Sequence, residues 1–296
     1  MPETVPAVAV QVPVQPISLR RRLTDHLVTV LAILTVLIVL APLIAIFGNL
    51  VYKGASSINW AFFTQTPKPV GEVGGGMANA IVGSLLILGI ASIIGVPFGI
   101  GAGIYLAEFG RNRFGSAIRF TADVLNGVPS IVIGIVAYSI VVLYQKHFSA
   151  LAGGVALAIM MVPTICRTTE EMLLLVPQAL REAAYGLGVP RWRTTLSIVL
   201  RTATSGVITG VMLAFARIAG ETAPLLFTTL GNQYWNLKPN QPTAALPLQI
   251  YVYANSPYDD WHRQAWAGSL VLIVLIVGAI SAVRYVVRRG TFGGAA

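Results

Sequence analysis

The chain has few residues able to do chemistry, and the densest string of them lies within an apolar stretch, ARIAGETAPLLFT, from Ala216 to Thr228. Arg217 follows Arg201 by sixteen residues, about 24 Å along a helix at about 1.5 Å per residue. That depth places a guanidinium well inside an apolar segment. An arginine there costs about 2.5–3.5 kcal/mol on insertion scales, so it must face protein or a water-filled path. Glu221 comes four residues later, one helical turn, and the spacing predicts a carboxylate beside the guanidinium. Thr222 adds a hydroxyl, and Pro224 is expected to end the helix. The planar donors of arginine match the oxygens of an oxyanion such as phosphate. The same pair also fits a salt bridge that only fixes helix packing.

These groups need elements to hold them, and the composition says which. Of 296 residues, 55% are hydrophobic and 10% charged, far below the charged share of about 25% usual in soluble domains. Six stretches are long and apolar enough to cross about 30 Å of hydrocarbon: His26–Val51, Ala78–Ala107, Phe120–Leu143, Leu151–Cys166, Ile198–Gly220 and Ala265–Val287. The fourth is short for a full span. Lipid offers the backbone no hydrogen bonds, so runs of this length must be helices. The fold class is therefore an all-α integral membrane protein with six transmembrane helices. Glycines within the spans, among them Gly95, Gly99, Gly101, Gly103, Gly206 and Gly210, allow close helix approach. Pro97, Pro129 and Pro163 predict local kinks.

The net charge of +9 does not mark a nucleic-acid binder, because the basic residues sit between apolar runs rather than on one solvated face. With the amino terminus inside, one set of loops holds Arg20, Arg21, Arg22, Arg111, Arg113, Arg119, Arg167, Arg181, Arg191, Arg193, Arg201, Arg284, Arg288 and Arg289. The other holds Lys53, Lys68, Lys146, Lys238 and Arg263. This bias places both termini in the cytoplasm. The loops Tyr52–Met77 and about Pro224–Gln264 then face outward, to cap a path or meet an external partner. A cytoplasmic tail is expected over 1–24, a membrane domain over 25–289 and a short tail over 290–296. The Pro/Val-rich start lacks the order of a cleaved signal peptide, so the first span should remain as an anchor. Cys166 alone can form no internal disulfide, and His26, His147 and His262 lack metal-site spacing, so no metal is expected. No GxxxxGK[ST] loop is present to cradle ATP.

Between the fourth and fifth spans, the apolar positions Leu180, Ala183, Ala184 and Leu187 recur at helical spacing after Pro177, and Gly186, Gly188 and Pro190 stop the helix. The product is a short helix across the membrane surface with a small face at Ala183, Ala184 and Gly186, suited to another protein's groove. Glu182, Ala183 and Ala184, with Gly188 four residues beyond, resemble the EAA motif of the binding-protein-dependent ABC importer permeases. From Gly75 onward the chain reads like that family's fold. The resemblance implies that Glu182, Ala183, Ala184 and Gly188 couple to two ATPase subunits, which bind the ATP and magnesium. It implies no cofactor in this chain and no catalysis by it. One departure is Arg201 after Leu200, where the family often has proline.

The string ARIAGETAPLLFT is similar to the signature of the phosphate-specific permeases, and with ALPLQIYVYA it looks like the A-type permease rather than its C-type paralogue. Asn126 to Val132, NGVPSIV, is similar to that group's third-span stretch. There Asn126 and Ser130 share a helical face and could bond an anion or a neighbouring helix. The resemblance implies a path made by Arg217, Glu221, Thr222, Asn126 and Ser130. It further implies a homologous permease of the C type as partner, a phosphate-binding protein outside and a bacterial cytoplasmic membrane. A permease for sulfate or molybdate is the nearest alternative. An intramembrane enzyme using Glu221 or Asp123 lacks a second catalytic group at recognisable spacing, and a proton-driven transporter would be separated by its independence of ATP.

Overall fold

The computed structural model describes residues 18–292, with side chains as far as Val287. The chain divides after Asn49 into two units. Helix α1 starts at Leu19, so that six residues of the expected tail are helical, and runs to Ala55, the first unit holding it as far as Asn49. Residues 1–17 and 293–296 lie outside the described residues.

The regular structure of the second unit is helical, and among the described residues only two isolated bridges stand in place of strands. Its elements are α2, Trp60–Thr64; α3, Ala78–Phe109; α4, Arg113–Gly127; α5, Ser130–Ala137; α6, Leu143–Gln145; and α7, Ala150–Leu174. These are followed by α8, Gln178–Gly186; α9, Arg191–Thr194; α10, Leu200–Ala219; α11, Ala223–Thr228; α12, Leu246–Ala254; and α13, Asp259–Phe292. π-Helical turns at Tyr138–Val142 and Thr195–Val199 join α5 to α6 and α9 to α10 without a break. Among the described residues of the chain, α1 included, five helical runs are long and apolar enough to cross a membrane, and α4 with α5–α6 makes a sixth as a bent pair.

Two expected spans change form. The third is broken: Val128 and Pro129 separate α4 from α5, and the axis turns by 108°. Pro129 has no N–H and pushes the residue before it out of the helical region; Val128 is extended, with φ −70° and ψ 132°. Pro97 and Pro163, by contrast, lie within continuous helices. The fourth span is not short, since α7 continues through the polar run RTTEE to Leu174, 25 residues in all. At about 1.5 Å per residue it is about 37 Å long, ample for a crossing.

Helix α7 is the most buried of the spans, and glycines bring its neighbours close. A Cβ added at Gly95, Gly99 or Gly103 of α3 would lie 3.2, 2.6 and 2.6 Å from the side chains of Met161, Ile165 and Thr169. Both series advance by four in the same direction, so α3 and α7 run parallel. On another face of α7, Gly206 and Gly210 of α10 meet Met172 and Thr168, a reversed order that makes α10 antiparallel to it. Gly101 meets nothing within 4 Å and takes no part in the seam. Apolar side chains of α3, α5, α7, α10, α11 and α12 fill the surrounding core, including Ile87, Ile133, Met161, Ile218 and Leu225.

At the end of the unit away from α8, polar side chains hold the long loops. Asn79 Nδ2 donates to Asn232 O at 2.7 Å, Ser84 Oγ accepts from Leu246 N at 2.7 Å, and Gln264 Nε2 donates to Gly74 O at 2.9 Å. These buried polar residues on apolar helices thus serve as loop anchors.

Candidate functional site

Helix α8 follows Pro177, whose fixed φ suits a helix start. Its end is a Schellman turn: Val189 N donates to Ala184 O at 3.1 Å and Gly188 N to Tyr185 O at 2.9 Å. Gly188 has φ +75° with open space around it, so the backbone angle alone calls for glycine there. Glu182, Ala183, Gly186 and Gly188 are exposed, as are Leu180 and Leu187. Ala184 is not part of that surface. It is buried at 3% exposure, and it shares the inward face with Arg181 three residues earlier. The small face expected of Ala183, Ala184 and Gly186 is therefore split, with Leu180, Ala183 and Leu187 forming the exposed apolar line.

Arg181, counted in the sequence only as a loop charge, is a structural centre. Its Nη1 donates to Val176 O at 2.9 Å, and its Nη2 to Leu173 O at 3.0 Å and to Glu108 Oε1 at 2.9 Å. It therefore closes the carbonyl end of α7 while pairing with a carboxylate at the end of α3. Arg119 on α4 does the converse. It donates to Leu106 O at 3.0 Å and Gly110 O at 2.8 Å at the end of α3, and its Nε lies 2.6 Å from Glu170 Oε1 on α7. Arg167 joins Glu170 at 2.9 Å and Asp123 at 3.1 Å. Glu108, Arg119, Glu170 and Arg181 carry no recognisable linear spacing, since their pairs lie 51 and 73 residues apart. Only the Arg167–Glu170 spacing of three hinted at a pair.

The expected Arg217–Glu221 pair does not form. Helix α10 ends at Ala219 with Gly220 as its cap, so Glu221 lies outside the helix and the four-residue spacing no longer stacks the two side chains. Arg217 is exposed in the last turn of α10, where a cation is favoured by the helix dipole. Glu221 and Thr222 are half-buried. Thr222 precedes α11, its carbonyl accepting from Leu226 N at 3.1 Å, and Pro224 opens that helix rather than ending one.

Asn126, in the last turn of α4, accepts through Oδ1 from Thr164 Oγ1 of α7 at 3.1 Å. Ser130 is the first residue of α5 beyond the break and is half-buried. The structure brings α5 against α11: a Cβ on Gly134 would lie 2.7 Å from Pro224 Cα. The break carrying Ser130 and the turn carrying Glu221 and Thr222 thus belong to packed neighbours. No hydrogen bond joins Asn126 or Ser130 to Arg217, Glu221 or Thr222.

The family described as binding-protein-dependent transport system inner membrane component matches residues 99–291, which spans the break, the α8 surface and the α10–α11 turn. The chain belongs to that family. Among relatives, it is 47% identical over 272 residues to the phosphate transport system permease protein PstA of Yersinia pestis, covering 91% of this chain and 92% of that one. It is 46% identical to the PstA of Haemophilus influenzae, covering 87% and 91%. With PstA 1 of Mycobacterium tuberculosis strain H37Rv it shares 34% identity, covering 93% and 92%. Among solved structures, a chain of the MetNI methionine ABC transporter in inward-facing conformations aligns with a TM-score of 0.58 at 17% identity, over 72% of this chain and 96% of that one. That likeness shows the permease fold. Membership in the family makes the chain an inner-membrane component that works with an ATPase and a substrate-binding protein.

Proposed function

We propose that this permease is the A-type membrane component of an ATP-driven importer of inorganic phosphate. The observation that carries the reading is Arg217, an exposed guanidinium with no ion-pair partner among the described residues, at the end of an apolar helical run of 29 residues. It sits in a chain whose relatives are phosphate permeases. Its donors are uncommitted and suit a bidentate grip on a phosphate oxygen pair. Glu221, Thr222, Asn126 and Ser130 stand on the neighbouring turn and break, as further groups along the path. A homologous C-type permease supplies the other half of the path, and a phosphate-binding protein docks at the end away from α8. Both termini lie in the cytoplasm. Two ATPases hold ATP and magnesium and seat on the exposed Glu182–Ala183 surface of α8, so this chain moves substrate without catalysing hydrolysis.

Purified complex in proteoliposomes, loaded with ATP on the ATPase side and supplied with binding protein and labelled phosphate, tests the reading. Uptake should require ATP and persist under excess sulfate or molybdate. Uptake that ignores ATP, or that sulfate abolishes, would overturn it.

The split of the small face makes a second prediction. Ala183→Trp should leave the chain folded and prevent ATPase co-purification, because residue 183 is exposed. Ala184→Trp should instead destabilise the permease itself, by about 1–3 kcal/mol as for other overpacked cores, seen as a lowered melting temperature in detergent before any partner is added. Equal melting temperatures for the two variants would contradict this orientation of α8.

A further inference from the structure

Parallel helices end on the same side, so the negative ends of the α3 and α7 dipoles lie together. Neither helix has a basic residue in its own last turn. The cations come from elsewhere and are crossed: Arg119 closes the carbonyls of α3 and pairs with Glu170 on α7, while Arg181 closes those of α7 and pairs with Glu108 on α3. Each guanidinium therefore ties both helix ends to a third element, α4 in one case and α8 in the other. The Arg181 and Glu108 side chains are only 10% and 11% exposed, which shields their pairing from water. Leu173 and Val176, whose carbonyls accept from Arg181, belong to an apolar cluster with Val199, Ala203 and Val207, so the arginine is held to backbone that is itself packed.

We propose that Arg181 and Glu108 are positioning residues that lock α8 to the ends of α3 and α7. Through the matching Arg119–Glu170 brace, displacement of α8 then reaches α4 and the break at Val128–Pro129. Exposed residues of α8 contact the ATPase, whereas the buried arginine sets how faithfully their motion enters the membrane domain. Loss of the Glu108 carboxylate would leave the docking surface intact and let α8 slip on its support. This proposal rests on the importer reading for its transport consequence and on the geometry alone for its mechanical one.

The test compares Glu108→Gln, Glu108→Asp and Arg181→Met in the complete complex, measuring phosphate moved per ATP hydrolysed and hydrogen exchange at 178–187. For Glu108→Gln and Arg181→Met we expect continued hydrolysis, a fall of about tenfold in phosphate per ATP, and exchange about tenfold faster in α8, the scale of one charge-assisted hydrogen bond. Glu108→Asp should restore most of the ratio. A misfolded fraction lowers uptake and hydrolysis together and leaves their ratio unmoved. Should Arg181→Met fail to assemble, Glu108→Gln decides, since residue 108 is not on the docking helix. An unchanged ratio with unchanged exchange overturns the proposal. Exchange that rises in a complex unable to import phosphate supports the brace while removing the importer reading.

Discussion

Glu170→Ala is expected to lower the stability of the permease by about 3 kcal/mol, the low end of the range for breaking a buried ion pair. The carboxylate is 4% exposed and holds Arg119 at 2.6 Å and Arg167 at 2.9 Å. Its removal leaves two guanidiniums facing each other across a cavity. They are 29% and 31% exposed, so water recovers part of the loss, which is why the low end applies. Glu170→Gln keeps the shape and one acceptor oxygen and should fall between alanine and the parent. Asp123→Asn provides the contrast: its side chain is 57% exposed, and such a pair contributes about 0–1 kcal/mol. Thermal unfolding of the detergent-purified chain, with yield of monodisperse protein as a second readout, measures all three. If Glu170→Ala melted with Asp123→Asn, the network would be ornamental to the fold.

Arg217→Gln should reduce initial phosphate uptake by about ten- to a hundredfold, the loss of one charged hydrogen bond of about 1.5–3 kcal/mol. Its relation to Glu221 makes the experiment sharper. A salt bridge predicts rescue when both charges are removed, because no unpaired charge remains. The structure shows no such bridge, so the effects of Arg217→Gln and Glu221→Gln should combine as independent factors. Arg217→Lys keeps the charge without the planar fork and should be partly active. Uptake per assembled complex, compared across the single and double variants, gives the answer. Recovery in the double variant would restore the packing role and remove Arg217 from the path.

The spans were legible because lipid imposes one simple rule on long apolar runs, and α3 begins at the residue that rule selects, Ala78. The short surface helix α8 was equally plain, from proline at its start and glycine past its end. What the sequence could not show was direction. Helical spacing placed both Ala183 and Ala184 on an apolar face without saying which of them the chain keeps for itself. Arg181 stood only among the loop charges and Glu108 carried no reading at all, because each finds its partner 73 residues away. The Arg217–Glu221 pair failed for a local reason: Pro224 looks like the helix stop, whereas the backbone ends α10 at Ala219 with Gly220 as its cap. The end of α7 was missed for the opposite reason, since its polar last turns are sustained by ion pairs that only the fold supplies.

The parallel course of α3 and α7 also settles what the bend at Pro129 is. Two rods that pass through a slab in the same sense can be joined only by an odd number of return strokes. Between them the helical material consists of α4, α5 and α6, from Arg113 to Gln145. Arg113 lies just past the end of α3, and Ser149 opens α7 at the far side, its hydroxyl accepting from Ala152 N at 3.1 Å. However sharply it turns by 108°, this segment makes one net return stroke. It is a fractured traverse, with one helix ending and another starting partway through, and not a hairpin that dips in and leaves by the face it entered.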